Sequence, residues 1–182
     1  HNTCTASENG FSRRKPSMVK APLCGKCVEE RDLCGACQQK STEGKLTDAD
    51  ISLARVLNQL EKRQLVKEPS FDRAVDLGNL ILVVTTENVG NLVGKGGRVV
   101  RLLSKEMGKK VRVINGKDFK TSIQDLVAPA RVTGINIVYT PDGEQTKVII
   151  PAEDKYRLIA DMPTIIKAAN ALSEKTVVFE LR

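Results

Sequence analysis

Residues 91–103 read NLVGKGGRVVRLL, and this stretch decides how the chain is interpreted. It combines three glycines and a lysine with a following run of apolar and basic residues. Glycine has no Cβ, so a ligand can approach the backbone closely and the backbone can adopt positive φ. Three kinds of ligand would use such a segment: a nucleoside triphosphate, a dinucleotide or a strand of RNA.

Spacing excludes the two best-known nucleotide motifs. A P-loop needs four residues between its glycines, followed by lysine and a hydroxyl residue. The interval from Gly90 to Gly94 is one residue short, and Gly96 occupies the position of the hydroxyl. A dinucleotide fingerprint, G-x-G-x-x-G, would need glycine where Val99 stands. The pattern that remains is G-x-x-G at 94–97, with a ligand-free turn between two helices as the alternative.

The net charge of +7 is unevenly distributed along the chain. Residues 1–45 carry 8 basic and 5 acidic side chains, residues 46–115 carry 12 and 8, and residues 116–182 carry 9 of each. We therefore expect attraction for phosphate groups in the first two thirds, with a merely solubilising lysine excess as the alternative. Because the chain has no Trp, two Tyr and four Phe, broad base-stacking platforms are not expected.

Neither a membrane segment nor an active site is indicated. No apolar run approaches the roughly 20 residues of a spanning helix, and the N-terminal HNTCTASENGFSRRKPS lacks the apolar segment of a secretory signal. The only histidine is His1, and no nucleophile has a plausible base. We therefore expect a cytoplasmic protein that is not an enzyme, with no small-molecule substrate and no membrane partner.

Apolar periodicity and turn residues divide the chain into four parts: a basic extended tail (1–20), a cysteine-rich segment (21–45) and two domains (46–115 and 116–182). Each domain is predicted to run helix, strand, strand, helix, loop, helix, strand. In the second domain, the helix before the loop is predicted over 153–160. LVGKGGRVVR, beginning at residue 92, aligns with LIADMPTIIK 66 residues later, which indicates an internal duplication.

Four cysteines form the pattern C-x2-C-x6-C-x2-C: Cys24, Cys27, Cys34 and Cys37. Two C-G-x-C turns present two pairs of sulfurs to one ion, and four thiolates make a closed tetrahedral site. We therefore predict one structural zinc ion in a compact knuckle, with an iron–sulfur cluster or disulfides as the alternatives. Such a closed site has no open coordination position for catalysis.

With both repeats in view, the chain resembles tandem type II KH domains. NLVGKGGRVVRLLSKEMGKKVRVI, followed by DLVAPARV, is similar to the archaeal NusA-like family. The resemblance covers residues 47–182 and leaves out the tail and the cysteines. It implies an α+β fold with two tandem type II (prokaryotic) KH domains, and single-stranded RNA binding in transcription elongation or termination. KH pairs also serve in ribosomes and in ribosome assembly.

The resemblance also implies which residues contact RNA. In a KH module the G-x-x-G loop joins two helices and clamps about four nucleotides of backbone. The helix after the loop has a basic face, and base edges would lie in an apolar groove beside the loop. The predicted RNA contacts are Leu92, Val93, Gly94, Lys95, Gly96, Gly97, Arg98, Arg101, Lys105 and Arg112, with Arg13, Arg14 and Lys15 of the tail.

The second repeat departs from this pattern at its loop. Ala160-Asp161-Met162-Pro163 replaces the glycines. No residue there allows a close approach, Asp161 would repel phosphate, and Pro163 suits the first turn of a helix. The second domain is therefore predicted to keep the KH fold and to have lost RNA binding through its loop.

Three functional hypotheses follow. In the first, the chain is an RNA-binding component or stable associate of the small ribosomal subunit, where the knuckle and tail grip rRNA beside ribosomal proteins. In the second, it is a NusA-like transcription factor that binds the nascent transcript and RNA polymerase. In the third, it is a protein-interaction adaptor built on KH folds. Lys20, Lys26 and Arg31, around the knuckle, either contact phosphate or form a solvated face.

Overall fold

A computed structural model describes residues 18–182 of the chain. The predicted RNA contacts Arg13, Arg14 and Lys15 lie outside the described residues. The helices are α1 (Gly25–Glu29), α2 (Gly35–Thr42), α3 (Asp48–Lys62), α4 (Val89–Val93), α5 (Arg98–Met107), α6 (Phe119–Val127) and α7 (Met162–Leu172). The strands are β1 (Arg73–Asp76), β2 (Leu80–Thr85), β3 (Lys110–Asn115), β4 (Gly134–Thr140), β5 (Gly143–Ile150) and β6 (Thr176–Leu181).

The strands form two sheets of three, in the orders β1-β2-β3 and β4-β5-β6. In each sheet the first pair is antiparallel and the second pair is parallel. The parallel pair is joined through the two helices that flank the loop, as a parallel connection requires a crossover. The fold is therefore α+β, and the two sheets have the arrangement expected of tandem KH-like domains.

The first domain begins at a reciprocal cap on α3. The Thr47 hydroxyl accepts a hydrogen bond from the Asp50 backbone N–H, while the Asp50 carboxylate accepts from the Thr47 N–H. This capping box fixes the start of the helix. The other oxygen of Asp50 accepts from the Ala74 N–H at 2.6 Å, so one buried carboxylate joins α3 to β1.

The cysteine-rich segment packs onto the first domain and shares its core. Leu23, Val28 and Leu46 are buried in the same apolar cluster as Leu53 and Leu57 of α3. A backbone bridge between Lys20 and Ser70 also places the start of the described chain beside the entry to β1. The knuckle is therefore part of one continuous hydrophobic core with the first domain.

Helices α6 and α7 lie between the two sheets. Leu82 of β2 and Ile114 of β3 share one buried cluster with Ile165 of α7 and with Val148 and Val177 of the second sheet. All six residues of β2 are buried, since one face meets the first core and the other meets this second core. The two domains thus pack through an apolar interface.

Basic side chains on the outer face of the first sheet strengthen this interface. They donate to backbone carbonyls of the second domain: Arg73 Nη2 to Ala171 O (2.6 Å), Lys110 Nζ to Ile159 O (3.2 Å) and Arg112 Nη2 to Ala128 O (2.8 Å). Ala171 and Ala128 lie at the C-terminal ends of α7 and α6, where unpaired carbonyls favour cations.

The predicted helix over 153–160 is wrong in type and length. The chain there forms a 3₁₀ helix, Ala152–Arg157, and Leu158 is already extended. The cause is a tertiary contact. The Asp154 carboxylate is completely buried and accepts from both the backbone N–H and the Nε of Arg131, each at 3.0 Å. These bonds hold the turn tightly against the segment after α6.

No helix within residues 18–182 is both long enough and apolar enough to cross a bilayer.

We predict that Asp154→Asn lowers the melting temperature at neutral pH. The hydrogen bonds from Arg131 hold the pKa of Asp154 below its usual range. The stabilisation is therefore complete above the unfolded pKa of about 3.9 and is lost as the pH falls through the lower folded pKa. Thermal melts at a series of pH values should show the difference between variant and parent closing below about pH 4.

Asp142→Asn is the matched control, because Asp142 is exposed in the β4–β5 turn. It should melt like the parent at every pH. A difference between Asp154→Asn and the parent that stays constant down to strongly acidic pH would contradict the assigned role of the Asp154 carboxylate.

Candidate nucleic-acid interface and metal centre

Positive backbone angles shape the loop between α4 and α5. Gly94, Gly96 and Gly97 have φ of 73°, 63° and 74°. Residues other than glycine adopt such angles only at a cost, since their Cβ crowds the following carbonyl. The three glycines are therefore explained by the sharp change of direction between the two helices.

The glycines differ in what surrounds them. A Cβ on Gly94 would lie 2.5 Å from Cγ2 of Val99, so this glycine allows α4 and α5 to pack closely. A Cβ on Gly96 or Gly97 would meet nothing within 4 Å. The Cβ positions of Gly96 and Gly97 thus face open space, so a ligand backbone can come close to the loop at these two residues.

Arg101 on α5 folds back onto the loop. Its Nη2 donates to Gly96 O at 2.8 Å, and its Nε donates to Gly97 O at 3.4 Å. The guanidinium group therefore covers two carbonyl oxygens that would otherwise repel a phosphate. Arg101 is a predicted RNA contact, and its second role, holding the loop, is visible only in the structure.

The cations around the loop have no acidic partners among the described residues. Lys95, Arg98, Arg101 and Lys105 are all exposed, and none of them forms an ion pair within residues 18–182. In the second domain, by contrast, five cations pair with carboxylates: Arg131, Lys147, Arg157, Lys175 and Arg182. The positive field is therefore least compensated beside the open glycines.

Three predicted groove residues have different environments. Leu92 is completely buried in the first core, whereas Val93 is half-buried where α4 meets the loop. Arg112 is half-buried at the domain interface; burial lowers its pKa, which the Asp125 charge partly offsets, and its Nε has no hydrogen-bond partner within the described part of the chain. Contacts of Leu92, Val93 and Arg112 with bases stay predictions, and Leu92 and Arg112 presently make internal contacts.

The loop of the second domain, residues 160–163, contains neither a glycine nor a cation. Asp161 is exposed at the N-cap of α7 and accepts from the Thr164 hydroxyl at 2.6 Å. Pro163 occupies the first turn of this helix, as its fixed φ favours. The structure thus places an anion where the first domain has its basic loop.

The four cysteines of the knuckle converge on one point. Their sulfurs all lie within 4.8 Å of one another, and none of the four is in a disulfide bond. Cys24 and Cys34 are the N-caps of α1 and α2, so each C-G-x-C turn leads into a short helix. The prediction that these residues come together is confirmed.

Backbone hydrogen bonds connect the two turns reciprocally. The Cys24 N–H donates to Cys37 Sγ at 3.5 Å, and the Cys34 N–H donates to Cys27 Sγ at 3.1 Å. Each turn therefore supports a sulfur of the other. N–H groups that point at sulfur stabilise thiolates and orient metal ligands.

The donor set fits a zinc ion. In a tetrahedral site with Zn–S bonds of about 2.3 Å, neighbouring sulfurs are separated by about 3.8 Å. The Cys24–Cys27 and Cys24–Cys34 sulfur pairs are 3.4 Å and 3.9 Å apart. These separations far exceed the roughly 2.05 Å of a disulfide bond. The four cysteines would hold one ion, which would tie the two turns together.

We predict different losses of stability from alanine at two glycines of the loop. Gly94→Ala forces a contact with Val99 as well as an unfavourable φ, so it should lower the free energy of unfolding by at least about 2 kcal/mol. Gly96→Ala has space for the methyl group and should cost about 1 kcal/mol. Urea denaturation of both variants measures the difference, and equal losses would refute it.

We also predict that Cys27→Ser abolishes stoichiometric zinc. Elemental analysis of the purified parent should give one zinc per chain, and the variant should give none. The melting temperature of the variant should fall by at least about 5 °C, because structural metal contributes directly to folding. Lys26→Ala, an exposed change in the same turn, should retain the metal. A metal-free parent with an unchanged melting temperature after Cys27→Ser would contradict the site.

Comparison with known proteins agrees with this geometry. Residues 50–116 match the family model of the NusA-like first KH domain. The crystal structure of APE1850 is similar over 70% of this chain and 96% of its own, with 21% identity and a TM-score of 0.50, which is evidence for the fold alone. No curated protein matches the sequence. Residues 50–116 are therefore similar to the NusA-like first KH domain, a similarity that supports RNA binding in general.

Proposed function

We propose that the chain clamps single-stranded or looped RNA at the open glycine loop of its first domain, without catalysing a reaction. One observation carries the proposal: four exposed cations, none of them ion-paired within residues 18–182, surround two glycines whose Cβ positions face open space. A purely structural turn needs neither feature. An RNA strand needs both, because its backbone is anionic and must come close to the protein backbone.

The chemistry of the clamp follows from the loop. A phosphate oxygen approaches the N-terminus of α5, where the helix dipole favours an anion. Arg101 supplies a fixed charge, since it is bonded to the carbonyls of Gly96 and Gly97. Lys95 supplies a mobile charge, and Arg98 and Lys105 extend the basic surface along the helix. The contacts are to the RNA backbone, so they set position rather than sequence preference.

The second domain acts as a rigid support in this proposal. Its loop has Asp161 at the position that aligns with Lys95, and five of its nine cations are paired with acids. Its helices instead cover the outer face of the first sheet. The domain therefore fixes the orientation of the first domain within a larger assembly while contributing little to RNA affinity through its loop.

Two assemblies are compatible with this clamp. The match of residues 50–116 to the NusA-like family supports a role in the cytoplasmic transcription complex, with nascent RNA and RNA polymerase as partners. Lys26 and Arg31 support the alternative, in which the protein is bound to the small ribosomal subunit. Both side chains are exposed on the zinc knuckle and form no ion pair within residues 18–182, so they are available to rRNA phosphates.

We predict that the double change Lys95→Asp and Gly96→Asp weakens RNA binding at least about tenfold. It removes one cation, adds two anions and blocks the open surface of the loop. Fluorescence anisotropy with a labelled single-stranded RNA, at one fixed salt concentration, measures the effect. Circular dichroism checks that the variant is folded.

The controls lie in the second domain. Lys167→Asp reverses a charge at the position that aligns with Arg101, and Asp161→Gly removes the acidic residue that aligns with Lys95. Both should bind RNA within about twofold of the parent. A loop variant that binds like the parent would move the binding site elsewhere, to the knuckle or the tail.

Sedimentation of a native lysate through a sucrose gradient separates the two assemblies. A component of the small subunit should sediment with it at both low and high salt. A transcription factor should remain near the top of the gradient or sediment with RNA polymerase. Loss of the small-subunit association at high salt would also argue against a stable ribosomal component.

A further inference from the structure

Strand β4 is an outer strand without charged residues. Its sequence is GINIVYT, and all seven residues pair with β5 in regular register. Its other edge has no partner strand within residues 18–182. A long, regular and uncharged edge offers a row of unpaired backbone donors and acceptors to another strand.

The other outer strands are protected against such pairing. β1 is only four residues long and carries Arg73 and Asp76, while β3 carries Lys110 and Arg112. β6 carries Glu180, which is ion-paired. Charged residues and short length are the usual means by which proteins block edge-to-edge association. β4 has neither, so its exposure suggests that another strand covers it.

The side chains of β4 continue an apolar face beyond the core. Ile135 pairs with the buried Val148, which places Ile135, Ile137 and Tyr139 on the face of the sheet that meets the helices. Ile137 is nevertheless 56% exposed and Tyr139 is 81% exposed. The helices therefore leave the second half of this face uncovered.

A cleft lies beside the first half of the same strand. It has a volume of about 260 Å³ between α6 and the start of β4, and it is lined by Lys120, Gln124, Val132, Thr133, Gly134 and Ile135. One side of the cleft is apolar and the other offers an ammonium and an amide group. This combination suits an aromatic ring that carries a hydroxyl.

We propose that β4 pairs antiparallel with β4 of a second copy of the chain, about a twofold axis at Ile137. Ile137 is the middle residue of the strand, so this register pairs all seven residues and places Ile137 opposite itself. Ile135 then lies opposite the partner's Tyr139. Because both side chains are on the same face, the partner's Tyr139 enters the cleft beside Ile135, with its hydroxyl towards Lys120 or Gln124.

The same register explains why a second copy suits the edge better than an unrelated peptide. It brings the partner's Asp142, in the β4–β5 turn, opposite Val132 and next to Lys120, so a charge in the cleft meets an opposite charge. Residues 116–182 carry equal numbers of acidic and basic side chains, so the two surfaces do not repel each other. Each contact is made twice, as an isologous interface requires.

The first test is the mass of the full chain by light scattering during size-exclusion chromatography, over a range of concentrations. We expect a dimer whose population rises with concentration. A second test uses Ile137→Cys in a Cys4→Ser background. Residues directly opposite across two strands have Cβ atoms about 4.5–5.5 Å apart, so mild oxidation should give a disulfide-linked dimer that the background chain does not form.

Variants on the exposed face separate pairing from folding. Ile137→Lys places two charges together at the axis and should raise the dimer dissociation constant at least about tenfold. Tyr139→Ala empties the cleft and should raise it by about the same factor. Tyr156→Ala is the matched control, since Tyr156 is 90% exposed and lies outside β4, and it should not change the dissociation constant.

The proposal is overturned if the parent chain stays monomeric at every concentration and Ile137→Cys gives no cross-link. It is also overturned if a dimer forms that Ile137→Lys leaves unchanged while circular dichroism shows the variant folded. Capture of a foreign extended peptide by a monomeric chain would assign the edge to a different occupant. RNA binding should be unaffected by these variants, so the outcome is independent of the proposed RNA function.

Discussion

Burial of β2 on both of its faces is the constraint on which the rest of the structure depends. One face packs with α3, α5 and the knuckle through Ile81 and Val83, and the other packs with α6 and α7 through Leu82. Exposure of either face to water would cost free energy, because every residue of the strand except one is apolar. The first domain is therefore enclosed by the knuckle on one side and the second domain on the other. Its glycine loop, at the end of the sheet, is the part that stays open.

The two domains differ in how far ion pairs compensate the charge of their cations. Cations of the second domain are held by carboxylates, as in Lys147 with Glu180 and Lys175 with Glu144. Cations of the first loop have no such partners within residues 18–182. Exposed ion pairs contribute little to stability, but they cancel charge locally. The cations beside the first loop therefore leave a local positive charge that the ion-paired cations of the second domain do not, which agrees with the absence of glycines from the second loop.

Much of the fold was predictable because local signals and the tertiary structure agree. Gly97 and Gly108 lie directly before and after α5, where glycine commonly ends a helix, and the spacing of the cysteines sufficed to bring four sulfurs together. Prediction fails where a contact distant in sequence determines the local structure, as in the helix predicted over 153–160. Asp154 draws its segment into a 3₁₀ helix through Arg131, which is 23 residues away. The groove assignment of Leu92 and Arg112 stays a prediction, but the burial of Leu92 in the first core and the bond of Arg112 to Ala128 depend on neighbours that periodicity does not give.

The double burial of β2 also has a consequence for biosynthesis. The chain emerges from the ribosome from its N-terminus, so the knuckle and the first domain can pack before α6 and α7 are available. Until then the outer face of the sheet, with Leu82 and Ile114, is exposed to water. A nascent chain that ends after β3 exposes this apolar face, and so does any fragment with the same end. Such a face promotes aggregation. Residues 116–172 therefore bury an apolar face of the first domain that is exposed to water until they are synthesised.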